Sequence, residues 1–169
     1  MNLIAAVTSD WGIGRNGKLL LSVPEDMRFF REKTKGAVVL MGRSTLESFP
    51  GGKPLSGRTN IVLTRNPCYS KDGVIIVNDI DEALSVLSEY EDDNIYVIGG
   101  GQIYSLFLPY CKKAYITKLD VILPSDTYFP DLDELDNWVL TEQSDSFCHA
   151  DVQYSFAVYE NLSVKSVMQ

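Results

Sequence analysis

Short, nearly unbroken apolar runs recur along the chain, each closed by glycine or by a polar turn. Leu3 to Val7, Ala37 to Met41, Thr59 to Leu63, Val74 to Val77 and Ile95 to Ile98 read as strands, with Leu3 to Val7 central and Ala37 to Met41 and Ile95 to Ile98 buried. Between them lie stretches of helical rhythm. One opens at Pro24-Glu25-Asp26, with proline and acids in the first turn, an apolar side from Met27, Phe29 and Phe30, and Gly36 as its end. Others run from Gly42-Arg43 to Ser48, from Asp79 to Leu87 with a capping-box spacing between Asp79 and Glu82, and from Gln102 to Leu108. After Pro109 the rhythm changes. Ala114 to Leu119, Trp138 to Ser144 and Val152 to Tyr159 read as strands with no helix between them, and antiparallel pairing is expected to close one edge. The pattern predicts a single α/β domain over residues 1–169, with its core in about 2–161. A central, mostly parallel twisted sheet of about eight strands carries about four helices.

Three junctions stand out. Ile95 to Ile98 runs into Gly99-Gly100-Gly101, where the missing Cβ atoms admit a close approach, and a helix then starts with unpaired N–H groups. The triplet serves equally well as a tight turn or as an anion site at a strand's carboxyl end. Gly42-Arg43-Ser44-Thr45 repeats the strand–glycine–helix form with a guanidinium and two hydroxyls, and Thr64-Arg65 repeats hydroxyl plus arginine. The segment from Thr8 to Val23 is long and hinged by Gly12, Gly14 and Gly17, yet carries Trp11, Ile13, Leu19, Leu20 and Leu21. It reads as a lid or as a loop packed on the core. Phe49 to Gly57 is rich in turns, and Glu89 to Asp93 reads as a solvated acidic connector.

Composition narrows the chemistry. A formal net charge of −8 argues against a nucleic-acid or anionic-membrane partner. Cys68, Cys111 and Cys148 are odd in number and widely spaced, which excludes a disulfide framework or a zinc site and fits a reducing cytoplasm. No apolar run reaches the length of a membrane span and no basic leader precedes Leu3, so the protein is expected to stay where it is made. The single histidine, His149, reads as an exposed turn residue, leaving Ser–His–acid catalysis and histidine metal sites without parts. Asp26 shares a helix face with Phe30, so the helix dipole lowers its pKa while desolvation raises it. Alone it reads as a helix-start acid. Asp26, apolar walls, glycine-flanked helix starts and Arg43, Arg58 and Arg65 suit chemistry supplied by a bound cofactor.

Ile4-Ala5-Ala6, Asp10 through Ile13-Gly14, Pro24-Glu25-Asp26 with Phe30, and Met41 through Thr45 resemble dihydrofolate reductase of the bacterial chromosomal type. So do Leu55-Ser56-Gly57-Arg58, Ile98 through Tyr104 and Asp126-Thr127-Tyr128-Phe129-Pro130, all in order over nearly the whole chain. The resemblance implies reduction of 7,8-dihydrofolate by NADPH, with hydride transfer to C6 and protonation of N5 by water. It implies that Asp26 grips the pterin's 2-amino group and ring nitrogen, bridged by Thr117. Ile4, Ala6, Met27, Phe30, Phe49, Leu55, Ile98 and Tyr104 form the substrate pocket, and Arg58 pairs with the tail α-carboxylate. For NADPH it implies Ala6, contacts from Ile13, Gly14 and Leu19 of the mobile loop that closes over the nicotinamide, and Gly42, Arg43, Ser44 and Thr45 at the phosphates. Leu63, Thr64 and Arg65 fall at the 2′-phosphate pocket. Gly99 and Gly100 match the family's cis pair, and Gly101, Gln102, Ile103, Tyr104 and Thr127 complete the cofactor contacts. No metal is implied.

Leu20-Leu21 departs from the family's usual Pro-Trp, removing an indole donor near the pterin, so proton delivery and loop closure are expected to be tuned differently. The alternatives are the related reductase of riboflavin synthesis, opposed by Asp26, Phe30 and Arg58 together, and a non-catalytic NADPH- or folate-binding module. A monomer binding dihydrofolate and antifolate inhibitors is the expectation.

Overall fold

The computed structural model describes residues 1–167. In chain order, β1 (Asn2–Val7), β2 (Gly12–Arg15) and β3 (Lys18–Leu19) precede α1 (Pro24–Thr34), β4 (Val38–Gly42) and α2 (Arg43–Ser48). Then follow β5 (Thr59–Leu63), β6 (Val74–Val77), α3 (Ile80–Leu87), β7 (Ile95–Gly99) and α4 (Gly101–Phe107). The chain closes with β8 (Lys113–Leu119), β9 (Thr127–Tyr128), β10 (Trp138–Gln143), β11 (Phe147–His149) and β12 (Val152–Asn161). The main sheet has the order β10-β12-β8-β1-β7-β4-β5-β6, with β11 paired to β12. Strands from β8 to β6 in that order run parallel, while β12 pairs antiparallel with β8 and β10 and closes the expected edge.

Alternation along the central strands assigns the layers. Val38 and Leu40 face Leu84, Leu87 and Phe107, so α3 and α4 cover one side. Val39 and Met41 turn the other way onto Leu46 of α2 and Phe49, and Ile4 and Tyr96 meet Phe29 and Phe30 of α1. Leu3, Val39, Leu40, Met41, Ile61, Val62 and Val97 are fully buried, as strands covered on both faces require. Because β1, β7, β4 and β5 are parallel, their carboxyl ends share one edge, and the helices that follow β4 and β7 start there.

Three expectations change. The segment from Thr8 to Val23 is not a bare loop: β2 pairs with β3 as a hairpin and with β9, forming a second sheet of order β3-β2-β9. The acids of the connector are exposed, as expected, and Asn2 Nδ2 donates to the Asp93 carbonyl at 3.1 Å while Lys112 pairs with the Asp93 carboxylate. His149 is half-buried at the end of β11 rather than an exposed turn residue. At the start of α3, Asp79 Oδ1 accepts from Glu82 N at 2.8 Å, but Glu82 reaches past the cap to accept from Asn78 N at 2.7 Å.

Candidate active site

Asp26 lies in the first turn of α1, half-buried, on the side that meets the sheet. Thr117 Oγ1 of β8 donates to Asp26 Oδ1 at 2.5 Å. The in-register pairing of Ala6 with Thr117 brings the end of β1 to the same place. Burial raises the pKa of Asp26 above its ordinary value, and the Thr117 hydrogen bond partly offsets this by favouring the carboxylate. The surrounding walls are apolar. Ile98 packs at once into the cluster of Ile4, Tyr96, Phe29 and Phe30 and into that of Met41, Phe49 and Leu55, so it joins the two sides of one cleft. Met27 is half-buried one residue after the acid, and Ala6 and Leu21 both pack against the cluster of Val23, Leu119 and Tyr154. Leu21 thus fills wall space with no polar atom.

Arg58 stands at the outer end of this cleft, immediately before β5. Its Nε donates to Thr34 Oγ1 at 3.2 Å, Nη1 to the Ser56 carbonyl at 2.8 Å and Nη2 to the Arg31 carbonyl at 3.4 Å. Three neutral acceptors orient the guanidinium, and no carboxylate within ion-pair distance neutralises it among the described residues.

The two glycine junctions meet. A methyl group at Gly99 or Gly100 would sit 3.6 Å from Thr45 Oγ1, and one at Gly42 would sit 3.1 Å from Ile103 Cγ1. The starts of α2 and α4 therefore lie side by side, with the Gly99–Gly100 peptide cis between them. At Gly101 the fit is tighter still: a methyl group there would sit 2.9 Å from Thr127 Cγ2 and 3.1 Å from the Tyr128 carbonyl. Arg43 is exposed, 3.7 Å from Glu47 and 5.8 Å from the Tyr69 ring centroid, held only by a weak surface pair. Ser44 and Arg65 are exposed, Leu63 is half-buried, and Thr64 is buried with its carbonyl accepting from Asn78 Nδ2 at 2.8 Å. This backbone-lined cradle fits an extended phosphorylated cofactor, with phosphate-binding side chains at its rim.

The family model of dihydrofolate reductase matches residues 1–161. The chain belongs to the dihydrofolate reductase family. Among its relatives are dihydrofolate reductase type 3 of Salmonella typhimurium, 40% identical over 144 residues, covering 85% of this chain and 86% of that one. The enzyme of Haemophilus influenzae is 37% identical over 153 residues, covering 90% of each. In structure the chain resembles dihydrofolate reductase from Enterococcus faecalis complexed with NADP(H) and RAB-propyl, with a TM-score of 0.84, 31% sequence identity and 95% of both chains covered. These likenesses do not favour the riboflavin-pathway reductase.

Within this family frame, most of the expected residues converge on the cleft and the cradle. Leu19, expected as a cofactor contact from the mobile loop itself, is 70% exposed at the hairpin. Tyr104 is buried, its ring lies tilted at 56° to that of Phe129 with centroids 4.7 Å apart, and its hydroxyl donates to the Ile4 carbonyl at 2.7 Å, so only its ring remains available beside Gly99. Exposed Gln102 and half-buried Ile103 follow on α4, and Ile13 Cδ1 lies 3.9 Å from a methyl at Gly101. Asp126 was legible only as part of a motif, with no role. Its Oδ2 accepts from Asn16 N at 2.8 Å, its own N donates to the Gly14 carbonyl at 3.0 Å, and Oδ1 accepts from Thr127 Oγ1 at 2.9 Å. These bonds fasten the β2–β3 hairpin to β9 and to the cradle. An acid in an otherwise apolar, aromatic pentapeptide was the only local signal.

Proposed function

We propose that this chain reduces 7,8-dihydrofolate to 5,6,7,8-tetrahydrofolate with NADPH, using Asp26 as its one ionisable pterin-site group. The observation that carries the reading is the geometry of that acid: half-buried, held by Thr117, and walled by Ile4, Phe30, Ile98, Phe49 and Leu55. When bound, NADPH supplies the hydride. The carboxylate offers two oxygens to the pterin's 2-amino group and adjacent ring N–H, with lone pairs to spare beyond the one that Thr117 occupies. In an apolar cleft its negative charge favours a positive charge on the ring, so N5 accepts a proton from water more readily. Phe30, Phe49, Leu55 and Ile98 exclude bulk water from the ring, and Arg58 takes the tail carboxylate as a planar fork. Gly42 to Thr45, Leu63 to Arg65 and Gly99 to Ile103 hold the cofactor, with Thr127 beside them. The protein acts as a cytoplasmic monomer.

The test follows loss of the reduced nicotinamide absorbance with dihydrofolate, for wild type and Asp26→Asn together. Wild type oxidises NADPH rapidly, and the variant is slowed by about a hundredfold or more with NADPH affinity nearly intact. Equal loss of turnover and of cofactor affinity would remove the role given to Asp26.

A further inference from the structure

We infer that Trp11 is a positioning residue for hydride transfer, the seat on which the β2–β3 hairpin is set, and that Lys118 holds its indole in place. The inference rests on the folate-reducing reading above. Trp11 adopts φ +63°, a left-handed conformation that a bulky residue takes only where its surroundings impose it. Glycine would make the same turn without strain, so what tryptophan adds at this position is the ring. Trp11 N donates to the Thr8 carbonyl at 2.9 Å, Thr8 N to the Gly12 carbonyl at 3.0 Å, and Phe129 N to the Trp11 carbonyl at 2.8 Å. This closed turn delivers the chain into β2, where Ile13 Cδ1 comes within 3.9 Å of a methyl position at Gly101 in the cradle.

The indole is buried in the middle of a row of rings. Tyr159 meets it edge-on with centroids 6.0 Å apart, and it stacks at 6.0 Å on Phe129, which in turn tilts against Tyr104 at 4.7 Å. Tyr104 ends the row beside Gly99, on the floor of the cradle. Lys118 closes the other end. Its Nζ lies 5.7 Å from the Trp11 ring centroid, 5.3 Å from that of Tyr159 and 3.7 Å from Asp133 Oδ2. The Tyr159 hydroxyl donates to Asp133 Oδ1 at 2.8 Å, so cation, acid and phenol fix one another around the indole. Lys118 directly follows Thr117 on β8, and successive residues of a strand face opposite ways. One strand therefore holds Asp26 through Thr117 on one face and the seat of the hairpin through Lys118 on the other. Close-packed rings pass displacement along the row, so a smaller side chain at Trp11 moves β2 and the Tyr104 ring together.

The experiment measures single-turnover hydride transfer, the Kd for NADPH and for a pterin inhibitor, and amide exchange over residues 12–19. It compares wild type with Trp11→Phe, Trp11→Leu, Lys118→Met and the Trp11→Leu/Lys118→Met double variant. Trp11→Leu slows hydride transfer by about tenfold and speeds exchange in the hairpin, while both Kd values change less than about threefold. Trp11→Phe, which keeps a ring between Tyr159 and Phe129, recovers most of the rate. Lys118→Met alone slows the step by about threefold, and it adds nothing once Trp11→Leu is present. A lower melting temperature with unchanged hydride transfer in Trp11→Leu reduces the indole to core packing and overturns the inference. Additive effects of the two substitutions overturn it equally, because Lys118 then does not act through the ring. Should Trp11→Leu fail to fold, Lys118→Met decides alone, since it keeps the stem and leaves the core filled: an unchanged rate overturns the inference. A wild type that leaves dihydrofolate unreduced removes the folate reading and the role in hydride transfer, whereas the exchange data still decide whether Trp11 seats the hairpin.

Discussion

Thr117 Oγ1 donates to Asp26 Oδ1 at 2.5 Å, joining the edge-side strand β8 to the first turn of α1 across 91 positions of sequence. Burial and this hydrogen bond act on Asp26 in opposite directions, and burial is the larger. Removing the hydroxyl leaves burial unopposed. Thr117→Val therefore moves the acid-side limb of the pH–rate profile for hydride transfer, along which the carboxylate ionises, to higher pH, while Thr117→Ser restores the wild-type profile. Single-turnover rates across pH check this. An unmoved limb would separate the hydroxyl from the titration.

The same burial has a stability consequence. A raised native pKa means that the folded protein holds its proton over a range where the unfolded chain, near the ordinary 3.8, has lost it. Stability contributed by this group is present at low pH and falls as pH rises through the raised value. Asp26→Asn lacks a charge to desolvate, so its melting temperature without ligands exceeds that of wild type at pH 7 by about 2 °C, and the two converge toward pH 3 to 4. Thermal melts at both pH values decide it, and a variant less stable at pH 7 would mean that the ionised carboxylate is well solvated.

Most of the sheet was legible because its central strands are buried on both faces. Thr59–Leu63 and the edge strand Val74–Val77, which has Ile75 exposed, are short runs rich in apolar residues and closed by polar turns, and their boundaries coincide with the expected ones. The second sheet was not legible, for a physical reason. Gly12–Arg15 has too little side chain to show alternation, and its partner Thr127–Tyr128 lies more than 100 residues away, so no local pattern announces the pairing. Glycine spacing revealed the cradle but not its tightness. Leu21 was legible as a replacement for an indole, whereas its packing on the cluster of Val23, Leu119 and Tyr154 depends on the fold. Tyr104 was placed by motif; its hydrogen bond to Ile4 spans 100 positions and no window contains both.

Gly101 tests how closely the cradle is built. A Cβ there meets Thr127 Cγ2 at 2.9 Å and, less able to yield, the backbone carbonyl of Tyr128 at 3.1 Å. Gly101→Ala pushes the start of α4 away from β9 and displaces the N–H groups that line the cofactor cradle. The expected result is a rise of at least about tenfold in the Kd for NADPH, with binding of a pterin inhibitor changed less than about threefold. Fluorescence titration with each ligand separates the two. Equal weakening of both would show that the substitution disrupts the whole fold.

Asp126 is the strongest test of the hairpin as a lid. The carboxylate is exposed, and its pKa lies below the ordinary value because Asn16 N and then Thr127 Oγ1 donate to it. It therefore stays ionised to acidic pH, keeping the hairpin fastened through the neutral range. Asp126→Ala removes the Asn16 and Thr127 bonds but leaves its own backbone donation to Gly14, so the hairpin loosens without losing its register. Amide exchange in residues 12–19 speeds up while the rest of the chain is unchanged. Hydride transfer slows by about tenfold, because a hairpin that opens admits water and misplaces the reacting groups. Asp126→Asn, which keeps one acceptor oxygen, falls between the two. Faster exchange with no change in hydride transfer would show that the hairpin rides on the cofactor without governing the reaction.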